Sequence, residues 1–442
     1  MLDRPFFTDI DSRAAIKGSR DPLGIQPIWT RFGRNVVGNL TTVSGSVASF
    51  KTLLLGHHIG GQVVEASAGQ PLLPAFIRWE QLAAYSRRLI NDDRDIRGIE
   101  RVNKNLSEGT RVWVSDEPRH QLLASQKTYG IWGLYTMPAA ASGLLDGAPV
   151  RLAPRAGAFV AEQYLTRLEA HGAAVMKRLR DVLRKPTSRV DLEGADDGLG
   201  RAVAAVFAQE LNQQECTFFR EFLLEGGPLD GVEGTRGLQR TLVSLIEEDT
   251  NTMPKWSRAR VREYAKRAAK RGGDWGALAE RLERIALIES VCAPAANLFE
   301  YLLGAHGVEL DGLVADVKTT WGAKLRSIDA VAFAELKAEV AGGIPEVGES
   351  WVQIANALAS GAYREAIELL VRQNAWVMTS RNSQQGEGAP WVEIESGRLD
   401  VHFRDENTEL HRIETIEDEL RFPYFLASLE RVSRTVRRLP DV

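Results

Sequence analysis

Tyr129-Gly-Ile-Trp-Gly-Leu-Tyr135 leads through Ser142-Gly-Leu-Leu145 to Val150-Arg-Leu-Ala-Pro-Arg-Ala-Gly157 and Phe159-Val-Ala-Glu-Gln-Tyr-Leu165, and these residues carry the strongest fold signal in the chain. The aromatic segment carries Gly130, Gly133 and Pro138, all unfavourable in a helix interior, and its only nearby cation is Lys127. Upstream, Pro71-Leu-Leu-Pro74 interrupts the pattern, and Phe76 to Tyr85 then places apolar residues at helical spacing. Arg111-Val-Trp-Val114 is a short β-rich run, and Pro118 to Gln126 reads as a middle helix. Downstream, residues 158–185 read as one long helix with a basic end at Lys177, Arg178, Arg180, Arg184 and Lys185, stopped by Pro186.

The quoted stretch resembles the second half of a winged-helix domain. In that family an aromatic-rich helix ends at a Gly-Leu pair, a strand pair forms the wing, and a Leu-(Thr/Ala)-Pro-x-x-Gly start opens the closing helix. The resemblance implies a nucleic-acid or protein docking module over residues 71–175. A helix that reads bases presents polar or basic side chains to the major groove, and this segment does not. Arg119, His120, Arg151 and Arg155 are placed to touch phosphates from the preceding helix and the wing. Shape-directed DNA contact or protein docking is therefore expected in place of base readout.

A chain of 442 residues with 44% apolar content buries substantial cores and divides into two to four domains. The net charge of −4 gives no global attraction to polyanions, so any nucleic-acid surface must be a local patch. Two lone cysteines, Cys216 and Cys292, support neither a disulfide framework nor a thiolate zinc site. Asp3, Arg4, Asp9, Asp11 and Arg13 leave the N-terminal residues without the apolar core of a secretory signal, so a cytoplasmic protein is expected. Asn35 to Leu55 contains Lys51, Asn39, Thr41, Thr42, Ser44 and Ser46 and is too polar for a membrane span. It reads as a buried helix whose small residues, Gly38, Ser44, Gly45, Ser46 and Ala48, predict a tight interface within the chain or with a partner.

The expected fold is mostly α. It is a multi-domain helical protein with an N-terminal helical segment (1–70), the winged-helix-like domain (71–175), an all-helical domain (176–345) and a C-terminal element of helices plus a β-hairpin (346–442). The polar connection Asp191 to Gly200 marks the start of long helical segments. Ser380-Arg-Asn-Ser-Gln-Gln-Gly-Glu-Gly388 reads as a mobile loop, and Trp391 to Phe403 alternates around Ser396-Gly397 as a hairpin with one buried face. A closing helix runs from Tyr424 to Leu439.

The strongest electrostatic feature is Lys255-Trp-Ser-Arg-Ala-Arg-Val-Arg-Glu-Tyr-Ala-Lys-Arg-Ala-Ala-Lys-Arg271, where Arg258, Arg262, Lys266 and Lys270 recur every four residues. Such a stripe binds phosphates through counterion release without reading bases, and Trp256 and Tyr264 add stacking surfaces. The alternatives are a solvated face neutralised by acidic neighbours and a surface for an acidic partner. His57 and His58 are adjacent and point about 100° apart on a helix, which forbids an i, i+4 metal clamp. No phosphate loop, dinucleotide fingerprint or nucleophile elbow is present in the sequence. Glu393, Glu395 and Asp400 lack the acid-x-Lys pair of a restriction-type nuclease. The alternating charges of Asp9, Asp11, Arg13, Lys17, Arg20 and Asp21 read as surface ion pairs. No catalytic residue, metal ligand or cofactor is assigned.

Gly18-Ser-Arg-Asp-Pro-Leu-Gly-Ile-Gln-Pro-Ile28, the small-residue helix and Phe76-Ile-Arg-Trp-Glu80 are similar to uncharacterised bacterial proteins encoded beside helicases and nucleases in phage-defence clusters. That resemblance covers about the first 170 residues. It implies a non-enzymatic subunit of an antiviral complex that binds DNA backbone and recruits a helicase or nuclease. The expected nucleic-acid contacts are Arg258, Arg262, Lys266, Lys270, Arg119, Lys127, Arg151 and Arg155. An interaction scaffold without DNA contact, and a cryptic metal-dependent nuclease or hydrolase, are the competing readings.

Overall fold

The computed structural model describes residues 21–66, 71–194, 198–207, 210–226, 238–249, 255–273, 275–382, 389–405 and 408–437. Asp9, Asp11, Arg13, Lys17 and Arg20 of the expected ion-pair cluster, and 383–388 of the expected loop, lie outside the described residues. Along the chain come helices α1 (Ile25–Arg34), α2 (Val47–Glu65), α3 (Leu72–Asn91) and α4 (Ile99–Ser107), then β1 (Arg111–Ser115), α5 (Gln126–Tyr129) and α6 (Ile131–Ala141). The strand pair β2 (Leu145–Asp146) and β3 (Arg151–Leu152) follows, with α7 (Pro154–Phe159), a π-helical turn (Val160–Leu165), α8 (Thr166–Glu169), α9 (Ala173–Arg184) and β4 (Thr187–Asp191). Next come α10 (Leu199–Val206), α11 (Gln213–Phe219), α12 (Leu238–Glu248), α13 (Arg258–Arg271), α14 (Trp275–Leu303) and α15 (Leu310–Trp321). The remainder is α16 (Ala330–Glu335), α17 (Lys337–Ala341), α18 (Pro345–Ser360), α19 (Tyr363–Asn382), β5 (Val392–Glu395), β6 (Arg398–Val401), α20 (Ile413–Ile416) and α21 (Leu426–Val436).

The protein is mostly helical, and it forms two compact units built from interleaved segments. One comprises residues 1–36 with 253–424; the other comprises 37–252 with 425–442. This division differs from boundaries at 70, 175 and 345, because helices that look separate in sequence share a core. The 70/71 boundary, for example, falls between α2 and α3, which pack directly on each other.

In the unit of residues 37–252 and 425–442, α2 is the central helix, with thirteen buried residues from Val47 to Val63. The chain from Asn35 to Ser46 is not helical; the helix starts at Val47, where the Ser46 hydroxyl accepts the Ser49 N–H at 3.3 Å. Of the small residues expected to form a tight interface, Gly38, Ser44, Gly45 and Ser46 precede the helix, and the close approach to α3 is made by two other glycines. A Cβ on Gly56 would come within 2.7 Å of the Phe76 and Trp79 rings, and one on Gly60 within 2.7 Å of Leu72, so these glycines let α3 lie close against α2. α3 begins at Leu72, and Pro74 sits in its first turn, where no intrahelical N–H is needed.

The buried Gln81 side chain on α3 donates to Ser115 O at 2.7 Å and accepts from Ser115 N at 2.8 Å, which holds β1 in place. β1 pairs antiparallel with β4, from Arg111 opposite Asp191 to Ser115 opposite Thr187, while β2 pairs with β3 alone. The expected middle helix over Pro118 to Gln126 is instead a single 3-10 turn at Pro118–His120, followed by α5. The expected long helix over 158–185 is interrupted between Glu169 and Ala173 at Gly172.

In the unit of residues 1–36 and 253–424, α14 is the axis, with nineteen buried residues and Pro294 within it. It is long and apolar enough to cross a membrane, but 83% of its most apolar window is buried inside the protein, which makes it a core helix. α1, α13, α18 and α19 pack around it, with Trp321, Trp351 and Tyr363 fully buried. β5 and β6 form the expected hairpin; Ser396 at φ 50° and Gly397 at φ 77° supply the two left-handed turn residues. Val392, Leu399 and Val401 form its buried face. The closing helix starts at Leu426, after Tyr424 and Phe425 in left-handed conformation.

Candidate functional site

The basic stripe lies on α13, which Ser257 caps by accepting the Arg260 N–H at 3.2 Å. A period of four is slightly longer than the helical repeat of 3.6, so the row drifts around the helix and its members meet different surroundings. Arg258 is 1% exposed and faces the interior. Its guanidinium donates to Ser327 Oγ at 3.3 Å, while Nε and Nη2 have no acceptor. Burial, and then the charge of Arg262, pull it down to about 10, against the opposing pull of Glu289, Asp418 and Glu417.

Arg258 is thus out of reach of a phosphate in solvent, a correction to the four-residue stripe. The physical reason is that the row drifts around the helix, which turns Arg258 inward beside Ser327, where the charges of Glu289, Asp418 and Glu417 act on it from elsewhere in the chain. Arg260, which falls off the row, is also buried and stacks on Trp256 at 4.1 Å, so the indole is covered by the protein's own arginine. Tyr264 is buried as well. The stacking platform expected for bases is therefore occupied.

Of the row, Arg262 is half-exposed and Lys266 and Lys270 are exposed, and the exposed Glu263 lies on the same helix. None of the three cationic side chains forms a hydrogen bond or ion pair with a described residue. Lys255, just before the helix, is exposed in the same way. At about 1.5 Å rise per residue, successive members of the row stand roughly 6 Å apart along the axis.

Glu289 on α14 accepts the N–H groups of Arg421 and, at 3.0 Å, Phe422, and the hydroxyl of Tyr424 at 2.6 Å. It pins the segment that leads out of this unit. Burial pushes its carboxyl up to about 7, despite those donors and Arg258.

The acidic residues of the hairpin, Glu393 and Asp400, stand opposite each other, with His402 Nε2 3.5 Å and 3.3 Å from their carboxylates. Among the described residues no group of three or more His, Cys, Asp or Glu side chains is placed to hold a metal ion.

In the other unit, Arg119, Lys127, Arg151 and Arg155 are all exposed. Two are already engaged: Arg119 pairs with Glu117 at 2.8 Å, and Arg155 forms a bidentate pair with Glu221 at 2.6 and 2.8 Å while stacking on Phe222. Lys127 and Arg151 have no such partner among the described residues. The helix α6 carries no charged residue, and Met137 is 72% exposed, with Tyr129 just before the helix at 57%. Its start is held by Glu80, buried on α3, whose Oε1 accepts the Ile131 N–H at 2.9 Å. Burial pushes this carboxyl up to about 7.

The same unit holds a buried charge cluster that sequence reasoning missed. Lys51 on α2 lies 2.8 Å from Glu215 of α11, both within 2% of full burial, and Glu215 also meets Arg167 at 3.3 Å. The Lys51 ammonium stands over the rings of Tyr164 at 5.1 Å and Phe207 at 5.9 Å. Burial holds Lys51 below its ordinary value, against the pull of Glu215. The Asn212-Gln-Gln-Glu215 capping box fixes that carboxylate: Asn212 accepts from Glu215 N, and Glu215 accepts from Asn212 N. The one signal of it in the sequence is a lysine inside an otherwise apolar and small-residue run. Comparison with protein-family models, curated proteins and solved structures found no match to this chain.

Proposed function

We propose that this protein is a non-enzymatic binding subunit whose α13 face engages the phosphate backbone of nucleic acid. The observation that carries the reading is the exposed row Arg262, Lys266 and Lys270, which has no acidic partner among the described residues. Three or four phosphate contacts give weak, salt-sensitive, sequence-independent attachment, with the logarithm of affinity falling by about 0.9 per contact for each logarithmic unit of salt on duplex DNA. The resemblance carried by Gly18–Ile28, the small-residue helix and Phe76–Glu80 would place that attachment in an antiviral complex with a helicase or nuclease.

The test is fluorescence anisotropy of labelled duplex and single-stranded DNA titrated with wild type and with K266E/K270E at several salt concentrations. Wild type is expected to bind with a salt slope that the charge reversal reduces by about 2. No salt-sensitive binding, or equal binding by the variant, overturns the proposal.

A second reading rests on α6. The order α6, β2, β3, α7 supports a winged-helix-like module, and its uncharged helix with Met137 exposed favours protein docking over DNA contact there. Retention of a partner after nuclease treatment by wild type, and its loss in M137E, distinguishes this reading.

A further inference from the structure

Two adjoining cavities in the unit of residues 37–252 and 425–442 have no role in the polyanion reading. One has a volume of about 360 Å³ and includes Ser46, Lys51, Arg94, Asp95 and Arg431 in its lining. The other, of about 310 Å³, includes Thr42, Ser46, Arg94, Asp95, Arg97 and Arg431. Ser46, Arg94, Asp95 and Arg431 are common to both, so the two form one cleft at the start of α2.

The charge balance of this cleft is lopsided. Arg94 and Arg97 come from the turn after α3 and Arg431 from α21, and none of the three side chains makes a hydrogen bond or ion pair with a described residue. Of the acidic residues nearby, Asp92 is already paired with Arg88 and Asp93 with Arg87, which leaves Asp95 as the opposing carboxylate. Behind them, Lys51 lines the first cavity and is paired with Glu215, which also meets Arg167. Arginines without protein partners on a concave surface are groups whose hydrogen-bonding capacity has been left for a ligand.

A buried donor points the same way. Ser46 is 7% exposed and lines both cavities; its oxygen accepts the Ser49 N–H, while its own O–H has no acceptor among the described residues. The N–H groups of Val47 and Ala48, in the first turn of a 19-residue helix, have no intrahelical acceptor and add the favourable end of the helix dipole. Lysine and arginine chemistry with a hydroxyl donor and peptide N–H groups matches the tetrahedral oxygens of a phosphate. A cavity of this size takes a phosphate together with the group that carries it.

We propose that this cleft binds a phosphate monoester, gripped by Arg94, Arg97 and Arg431 and seated on the Ser46 hydroxyl and the first turn of α2. Two sources carry that group: a free mononucleotide or similar metabolite, and the 5′-phosphate end of a nucleic acid. The site belongs to a different unit from α13 and stands independently of it.

The test is isothermal titration of the full chain with inorganic phosphate, a nucleoside monophosphate, and a short single-stranded oligonucleotide with and without its 5′-phosphate. Wild type is expected to bind the monophosphate, and R94Q/R431Q to weaken it by about tenfold or more for each arginine removed. Both arginines lack protein contacts through their charged groups, so the variant keeps its fold. K266E/K270E is expected to leave monophosphate binding unchanged, which separates failure here from failure of the α13 reading. A 5′-phosphorylated oligonucleotide that binds far better than its 5′-hydroxyl form and than the mononucleotide identifies a nucleic-acid end; equal affinity for mononucleotide and phosphorylated oligonucleotide identifies a small molecule. No phosphate compound binding at about 10 mM, or R94Q/R431Q binding as tightly as wild type, overturns the proposal.

Discussion

Replacing Glu80 by Gln should make the protein more stable at pH 8 and leave it nearly unchanged at pH 4.5. In the folded protein Glu80 is buried, one oxygen accepts the Ile131 N–H and the other has no partner, and burial raises the carboxyl from 4.5 to about 7. The folded state therefore holds a proton that the unfolded chain releases between these two values. Its contribution is fully present below pH 4.5 and is lost as pH rises through 7, the sign expected when the native state binds more protons. The rise from 4.5 to about 7 corresponds to a loss of about 3 kcal/mol over that window.

Glutamine mimics the protonated acid in size and acceptor but does not ionise. Urea unfolding followed by tryptophan fluorescence, for wild type and E80Q at pH 5, 6, 7 and 8, gives a difference curve. Glu289 loses stability with the same sign as pH rises, but it is common to both proteins and cancels from that difference. The difference should grow by about 2 to 3 kcal/mol in favour of E80Q between pH 5 and 8. A flat difference curve would sink this account, because Glu80 would then titrate alike in folded and unfolded chains.

The buried Lys51–Glu215 pair makes a second case: K51M leaves a buried carboxylate with the half-buried Arg167 as its one remaining cation and the Asn212 N–H as a donor, at a cost of about 3 to 5 kcal/mol. Adding E215Q should restore a large part of that loss, and a double-mutant cycle by denaturant unfolding checks it. For Arg258, whose Nε and Nη2 find no acceptor, R258M should destabilise by less than about 2 kcal/mol because an apolar side chain of similar length removes the unsatisfied donors as well as the charge. It should also move the Glu289 titration upward, since Arg258 pulls that carboxyl down; the pH dependence of R258M unfolding above pH 7 reads this shift.

The helical periodicity of the long elements, the Ser396-Gly397 hairpin and the surface position of Lys266 and Lys270 were all legible in the amino-acid order. Each depends on interactions within a few residues: apolar spacing, two left-handed turn positions, and charged side chains with nothing nearby to bury them. The close approach of α3 to α2 was not read from the right residues: it is made by Gly56 and Gly60, while Gly38, Ser44, Gly45 and Ser46 lie before the helix. Each compact unit is assembled from segments distant in the chain, an arrangement that no local pattern shows.

Which charges are free was settled by the fold alone. Arg258 and Lys266 belong to the same four-residue row and look alike in a one-dimensional pattern, yet the arginine is buried and the lysine is exposed. The difference depends on which side of the helix turns inward, and the charges met there come from elsewhere in the chain: Glu289, Asp418 and Glu417 act on Arg258, as Glu215 pairs with the buried Lys51. The convergence of Arg94, Arg97 and Arg431 on one cleft has the same origin. Their two segments lie near opposite ends of the chain, and folding places them around the first turn of α2, where unpaired guanidinium groups meet a surface that can hold an anion.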